Sequence, residues 1–130
     1  VVEQDEREGG LRAILNYGHT IGHALEAVSS YGKYLHGEAI SIGQVAASRI
    51  SRDVLGLGQP EVDRIETLFE NAGLPTSVCL AKPHLARVFA AMKLDKKVSG
   101  GEVKFVLARK IGQVEFGIDV PKAIIKAALK

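Results

Sequence analysis

Apolar residues recur at spacings of three and four along most of this chain, and alternate with polar ones only near its end. From Leu11, the run Leu11, Ile14, Leu15, Ile21, Ala24, Leu25 and Val28 predicts one helical face. Gly18 and Gly22 fall inside that helix. Each costs roughly 1 kcal/mol against alanine, so each needs a reason to be there, either tight helix packing or the close approach of a ligand. Ser29 to Lys33 reads as a loop around Gly32. A second helix is predicted from near His36-Gly37-Glu38. Ala39, Ile40, Ile42, Val45, Ala46, Ala47 and Ile50 make it apolar on most sides, the mark of an element central to its domain. Gly56 and Gly58 stop it.

Pro60 opens a third helix, with Glu61 and Asp63 near its positive end and Val62, Ile65, Leu68, Phe69 and Ala72 as its buried stripe. Pro83 starts a fourth, carrying Leu85, Val88, Phe89 and Met92. After Ser99-Gly100-Gly101 the period shortens to two. Val103, Phe105 and Leu107 alternate with Lys104, Val106 and Ala108, and Ile111 to Phe116 follows, so a short strand pair is expected. Asp119-Val120-Pro121 caps a last helix with Ile124, Ile125, Ala128 and Leu129 on its apolar face. The predicted fold class is mainly α: a helical domain over residues 1–130 with a minor pair of short β-strands and no internal repeat. Residues 3–10, charged and ending in Gly9-Gly10, read as a connecting segment.

Composition narrows the function classes. A chain of 130 residues is one domain's worth, and 46% hydrophobic with 25% charged residues is ordinary for a globular protein. A net charge of +2 gives no basis for expecting nucleic acid or an anionic membrane as partner. The single cysteine, Cys79, lies between Val78 and Leu80 and reads as apolar filler in a reducing, cytoplasmic setting. No apolar run reaches the roughly 20 residues of a membrane helix, and no secretory signal pattern opens the chain. It begins Val1-Val2-Glu3 without an initiating Met, as a processed chain or a piece of a longer one would.

Three of the four histidines carry the candidate chemistry. His19 and His23 are four apart, so both rings leave one face of a helix, and His36 follows at the head of the next. Imidazole binds first-row metals near neutral pH, and a catalytic zinc takes three protein ligands with a fourth position open. A pair of hydrogen-bonded, half-buried imidazoles is the plainer alternative. Glu26 and Glu38 are the nearest acids. Either could orient a ligating imidazole. For Glu26 the plainer reading without such a role is preferred, while for Glu38 that role stands level with its suiting the first turn of its helix on electrostatic grounds alone. Arg12 and Asn16, seven and three residues before His19, share its face on an unbroken helix. Arg12 suits a carboxylate or phosphate, or equally a pairing with Glu3, Asp5 or Glu6. Lys96-Lys97, beside Asp95, could bind an anion or simply lie in a solvated loop.

Taken together, Asp5-Glu6-Arg7-Glu8, Leu11-Arg12, Leu15-Asn16, Gly18-His19-Thr20, Gly22-His23-Ala24, Glu26 and His36-Gly37-Glu38-Ala39 resemble the carboxy-terminal half of 3-dehydroquinate synthase. Asp95-Lys96-Lys97, Phe105-Val106-Leu107 and Ile111-Gly112 resemble the distal motif of the same family. The resemblance covers essentially the whole chain, and related sugar-phosphate cyclases share parts of it. It implies a helical metal- and substrate-binding domain, with the family's amino-terminal NAD-binding α/β domain absent from this chain. His19 and His36 would be ligands of zinc, or of another divalent metal such as cobalt. His23 would be an active-site histidine, and Lys96, Arg12 and Asn16 would contact substrate, Lys96 also in a catalytic role. The implied reaction converts a seven-carbon keto-acid sugar phosphate, 3-deoxy-D-arabino-heptulosonate 7-phosphate, to 3-dehydroquinate and phosphate in the shikimate pathway. NAD is the redox cofactor, and the full-length enzyme is a cytoplasmic homodimer.

The family's third zinc ligand, a glutamate, and one of its lysines fall outside this span. The isolated chain is therefore expected to be inactive and to hold metal weakly. Gln44 stands where many members carry methionine. Two other readings remain: a domain of a different sugar-phosphate cyclase, and a non-catalytic helical module.

Overall fold

The computed structural model describes residues 11–28, 34–78, 82–98 and 104–129. The element order is a 3-10 segment (Leu11–Asn16), α1 (His19–Val28), α2 (His36–Leu55), α3 (Gln59–Asn71), α4 (Lys82–Val98), β1 (Lys104–Lys110), β2 (Gln113–Asp119) and α5 (Lys122–Ala128). The expected helical domain with one small strand pair is what the chain forms. The connecting segment at residues 3–10, the loop at residues 29–33, Cys79 and the Ser99-Gly100-Gly101 turn lie outside the described residues.

α2 is the spine. Its first turn is set by Glu38, whose carboxylate accepts the Leu35 backbone N–H at 2.8 Å. Its end is set by Gly56, which takes a left-handed φ of 79° that other residues rarely adopt. Ala39, Ile42, Val45, Ala46, Ala47 and Ile50 are buried along it. Ala39, Ile42, Ala46 and Ile50 among them join Ile21 and Leu25 of α1, Val88 and Met92 of α4, Phe105 and Leu107 of β1, and Ile125 of α5 in one core.

Three buried serines on α2 are all satisfied. Ser51 Oγ donates to the Ala47 carbonyl at 2.7 Å and accepts the Ala108 N–H at 2.9 Å, which latches β1 onto the helix. Ser41 Oγ reaches the Pro75 carbonyl at 2.6 Å. Ser48 Oγ donates to the Gln44 carbonyl at 2.8 Å, so its contact with Tyr17 at 3.0 Å has the phenol as donor. Arg49 reaches both the Ala128 carbonyl (3.2 Å) and Glu66 (2.9 Å), tying α5 and α3 to the same spine.

Several expectations from periodicity are corrected. The helix predicted to run unbroken from Leu11 is two elements, because Gly18 adopts φ 81° and starts α1 afresh at His19. Leu15 is left 53% exposed by that break. Leu68 is 66% exposed, since α3 is covered along only part of the stripe and Val62 is its one buried residue. β1 does not alternate: Phe105, Val106, Leu107 and Ala108 are all buried, with α2 and the 3-10 segment both packed near the strand. The strands pair antiparallel around Ile111-Gly112, where Gly112 at φ 92° makes a turn out of residues expected to open the second strand. Asp119 ends β2 and pairs with Lys104 at 2.7 Å, and within the expected Asp119-Val120-Pro121 run it is Pro121 that occupies the cap of α5.

Candidate metal centre

The site is built where α1 crosses the first half of α2. The crossing is close because three glycines meet there. A β-carbon on Gly43 would fall on the Gly18 carbonyl oxygen and 2.9 Å from the Gly22 nitrogen. One on Gly22 would stand 2.6 Å from the Ile40 side chain. Of the two explanations for Gly22, helix packing is the one its surroundings support. Tyr17 fixes the turn into α1 through its hydroxyl contact with Ser48. Burial raises the Tyr17 pKa above its ordinary value, with the Ser48 and Ser51 hydroxyls opposing the shift.

That crossing gathers the three histidines. Ring centroids are 5.1 Å apart for His19 and His23, 6.1 Å for His19 and His36, and 6.0 Å for His23 and His36. Two of the rings are backed by oxygen. His36 Nδ1 lies 2.7 Å from Glu26 Oε1, and His19 Nδ1 lies 3.4 Å from the Tyr17 carbonyl. Both oxygens are acceptors, so in these contacts Nδ1 carries the hydrogen, and in a neutral ring Nε2 is then the nitrogen with the lone pair. This is the arrangement in which ligating histidines are held from behind. Among the described residues, His23 makes ring contacts but no hydrogen bond. Among the described residues, the set whose possible ligand atoms all come within 4.8 Å of one another is His23, Glu26 and His36, and His19 is not part of it.

The donor chemistry therefore suits a divalent metal at the imidazole cluster. The shared helical face of Arg12 and Asn16 with His19 does not exist, because the backbone turns at Tyr17-Gly18 and both residues sit in the 3-10 segment. Asn16 is partly buried there, while the Arg12 side chain lies outside the described residues. Lys96 and Lys97 belong to α4 rather than to a loop, and their side chains are likewise outside the description. Glu38 is committed to its own helix start.

Sequence reasoning attached no role to Gln44. Its side-chain amide donates to the Tyr17 carbonyl at 3.4 Å, the same oxygen that His19 approaches. A shallow groove of about 520 Å³ lies elsewhere, walled by Ile14, Val114, Phe116 and Ile118, and no histidine lines it.

Comparison with known proteins points one way. A family model described as the 3-dehydroquinate synthase C-terminal region matches residues 1–98. The 3-dehydroquinate synthase of Acidithiobacillus ferrooxidans is 49% identical over 130 residues, and that of Nitrosospira multiformis is 44% identical over 129. These alignments cover 100% and 99% of this chain but only 35% of each relative. Among solved structures, a 2-epi-5-epi-valiolone synthase from Streptomyces hygroscopicus with NAD+ and Zn2+ bound superposes with TM-score 0.84 at 26% identity, over 98% of this chain and 35% of that one. A 2-deoxy-scyllo-inosose synthase in complex with carbaglucose-6-phosphate, NAD+ and Co2+ gives 0.83 at 25% identity, over 99% and 37%.

Proposed function

The chain belongs to the 3-dehydroquinate synthase family as its carboxy-terminal domain, and on that premise we propose that it supplies the metal- and substrate-binding half of that enzyme. The observation that carries the proposal is the convergence of His19, His23 and His36, with the first and last each backed at Nδ1 by an oxygen. His19 and His36 would hold zinc or cobalt through Nε2. His23, with no hydrogen bond among the described residues, would face substrate and exchange a proton through a ring nitrogen. Asn16, Arg12 and Lys96 would bind the carboxylate and phosphate of the keto-acid sugar phosphate. When bound, the metal supplies Lewis acidity at substrate hydroxyls and NAD supplies hydride transfer.

The chain spans 35% of the length of the relatives above. On the family resemblance, turnover would draw on residues beyond it: an NAD-binding domain and a third, carboxylate ligand. The working enzyme is read as a cytoplasmic homodimer. Identities of 44–49% to 3-dehydroquinate synthases, against 25–26% to the two other cyclases, favour 3-dehydroquinate as product over another cyclitol.

Calorimetric zinc titration of the 130-residue chain beside His19→Ala and His36→Ala tests the ligand assignment. Weaker binding by both variants is expected, and equal binding by all three refutes it. Mixing the zinc-loaded chain and NAD with the amino-terminal remainder of the Acidithiobacillus ferrooxidans relative should release phosphate from the keto-acid sugar phosphate. Its failure with both parts folded would remove the enzymatic reading.

A further inference from the structure

Glu26 lies on α1 one turn beyond His23, and its carboxylate crosses to the first residue of α2, 2.7 Å from His36 Nδ1. The two side chains are 33% and 61% exposed. A pair this open adds little to the stability of a fold, so holding the two helices together is a poor account of it. The neighbouring acid, Glu38, is already engaged with the Leu35 N–H and does not compete for the ring.

We infer that Glu26 is a positioning residue of the metal centre, holding the His36 ring by its Nδ1–H so that Nε2 is the nitrogen offered to a divalent cation. The inference rests on the reading of His36 as a ligand given above. An ionised carboxylate has no hydrogen to give, so Nδ1 must be the donor whether the ring is neutral or charged. In the neutral ring this selects one tautomer, and the ring plane is fixed by the same bond.

The competing role, Glu26 as a ligand within the group His23, Glu26 and His36, is disfavoured by the same contact. Oε1 is engaged by the ring N–H, so only Oε2 is left for a cation, and His36 could join it there only through Nε2.

The test separates the two halves of the claim. In the metal-free, 15N-labelled chain, long-range proton–nitrogen correlation reads the His36 tautomer directly. The parent should show Nδ1–H, and Glu26→Ala should shift the ring toward the mixture of a solvent-exposed histidine. Glu26→Gln keeps a neutral acceptor and should retain part of the preference.

Zinc affinity should fall roughly 10–100-fold in Glu26→Ala and less in Glu26→Gln, with circular dichroism unchanged. An unaltered tautomer in Glu26→Ala overturns the inference. So does an equal zinc loss in both variants with the tautomer intact, which would make Glu26 a ligand. Equal zinc binding by the parent and His36→Ala would overturn the metal reading instead, a result that the metal-free tautomer measurement distinguishes.

Discussion

Gly43→Ala is the substitution that bears most directly on how the site is assembled. The added methyl would land on the Gly18 carbonyl oxygen and 2.9 Å from the Gly22 nitrogen, both of them backbone atoms that no rotamer change can move. Carbon contacts become favourable near 3.5 Å, so relieving Gly22 alone needs a separation of about 0.6 Å, and Gly18 requires more, on the order of 1 Å. Overpacking of this kind costs typically 1–3 kcal/mol, and rigid obstacles on both sides place it at about 3 kcal/mol. For 130 residues, each kcal/mol moves Tm by roughly 4 °C, so the variant should melt about 12 °C below the parent.

The same opening carries His19 and His23 away from His36 by more than the roughly 0.5 Å that a functional constellation tolerates. Zinc affinity should therefore fall together with Tm. Thermal melts by circular dichroism and zinc calorimetry measure the two effects. Gly37→Ala is the control, since a β-carbon there meets nothing within 4 Å, and it should melt within about 2 °C of the parent. If Gly43→Ala melts within that same range, the close crossing of α1 and α2 is not what holds the cluster together.

Two further substitutions probe the supports around the site. Tyr17→Phe removes a phenol whose pKa burial raises above 10.0. A group with a raised folded-state pKa contributes stability that is complete below its unfolded value and is lost as pH rises through the folded one. The parent should therefore lose stability above about pH 10, the variant should lose less there, and near neutrality it should be weaker by about 1 kcal/mol for the lost bond to Ser48. Denaturant melts between pH 7 and 11 with the same slope at all pH values in both proteins would contradict this. Ser51→Ala leaves the buried Ala108 N–H without its acceptor and should cost about 1–3 kcal/mol. Hydrogen exchange at Ala108 should accelerate while zinc affinity is unchanged, and unaltered exchange would show that the latch is not formed.

The helical spacings carried most of the fold because α2, α4 and α5 bury what their patterns say they should: Val45 and Ile50, Val88 and Met92, and Ile125. They failed where coverage or backbone conformation mattered more than period. A positive φ at Gly18 leaves no mark in the order of apolar residues, so an unbroken helix was expected and the argument placing Arg12 and Asn16 on the His19 face fell with it. β1 reads as alternating because Lys104 precedes its apolar core, yet four consecutive residues are buried among α2 and the 3-10 segment.

At the site, the histidine spacing showed that His19 and His23 would share a face. Nothing in that spacing showed that Glu26 would reach His36, because that contact depends on how two helices cross, and the crossing is set by Gly43, twenty-five residues from Gly18. Gln44 was silent for the same reason. Its role depends on the Tyr17 carbonyl being turned toward α2.

The position of His36 on α2 separates the proposed ligand from the contacts that hold the helix in the fold. Its side chain is 61% exposed at the first residue of a helix whose interior serines and Arg49 bind β1, α3 and α5. Ser51 lies fifteen residues along the same helix, about 22 Å away at 1.5 Å per residue. At that separation, perturbations with no shared partner act additively. Support of the fold and aim of the imidazole are thus carried by opposite ends of one element. Changes at Ser51 should register in stability and changes at Glu26 in metal affinity, while Gly43, between them at the crossing, is the position where the two cannot be separated.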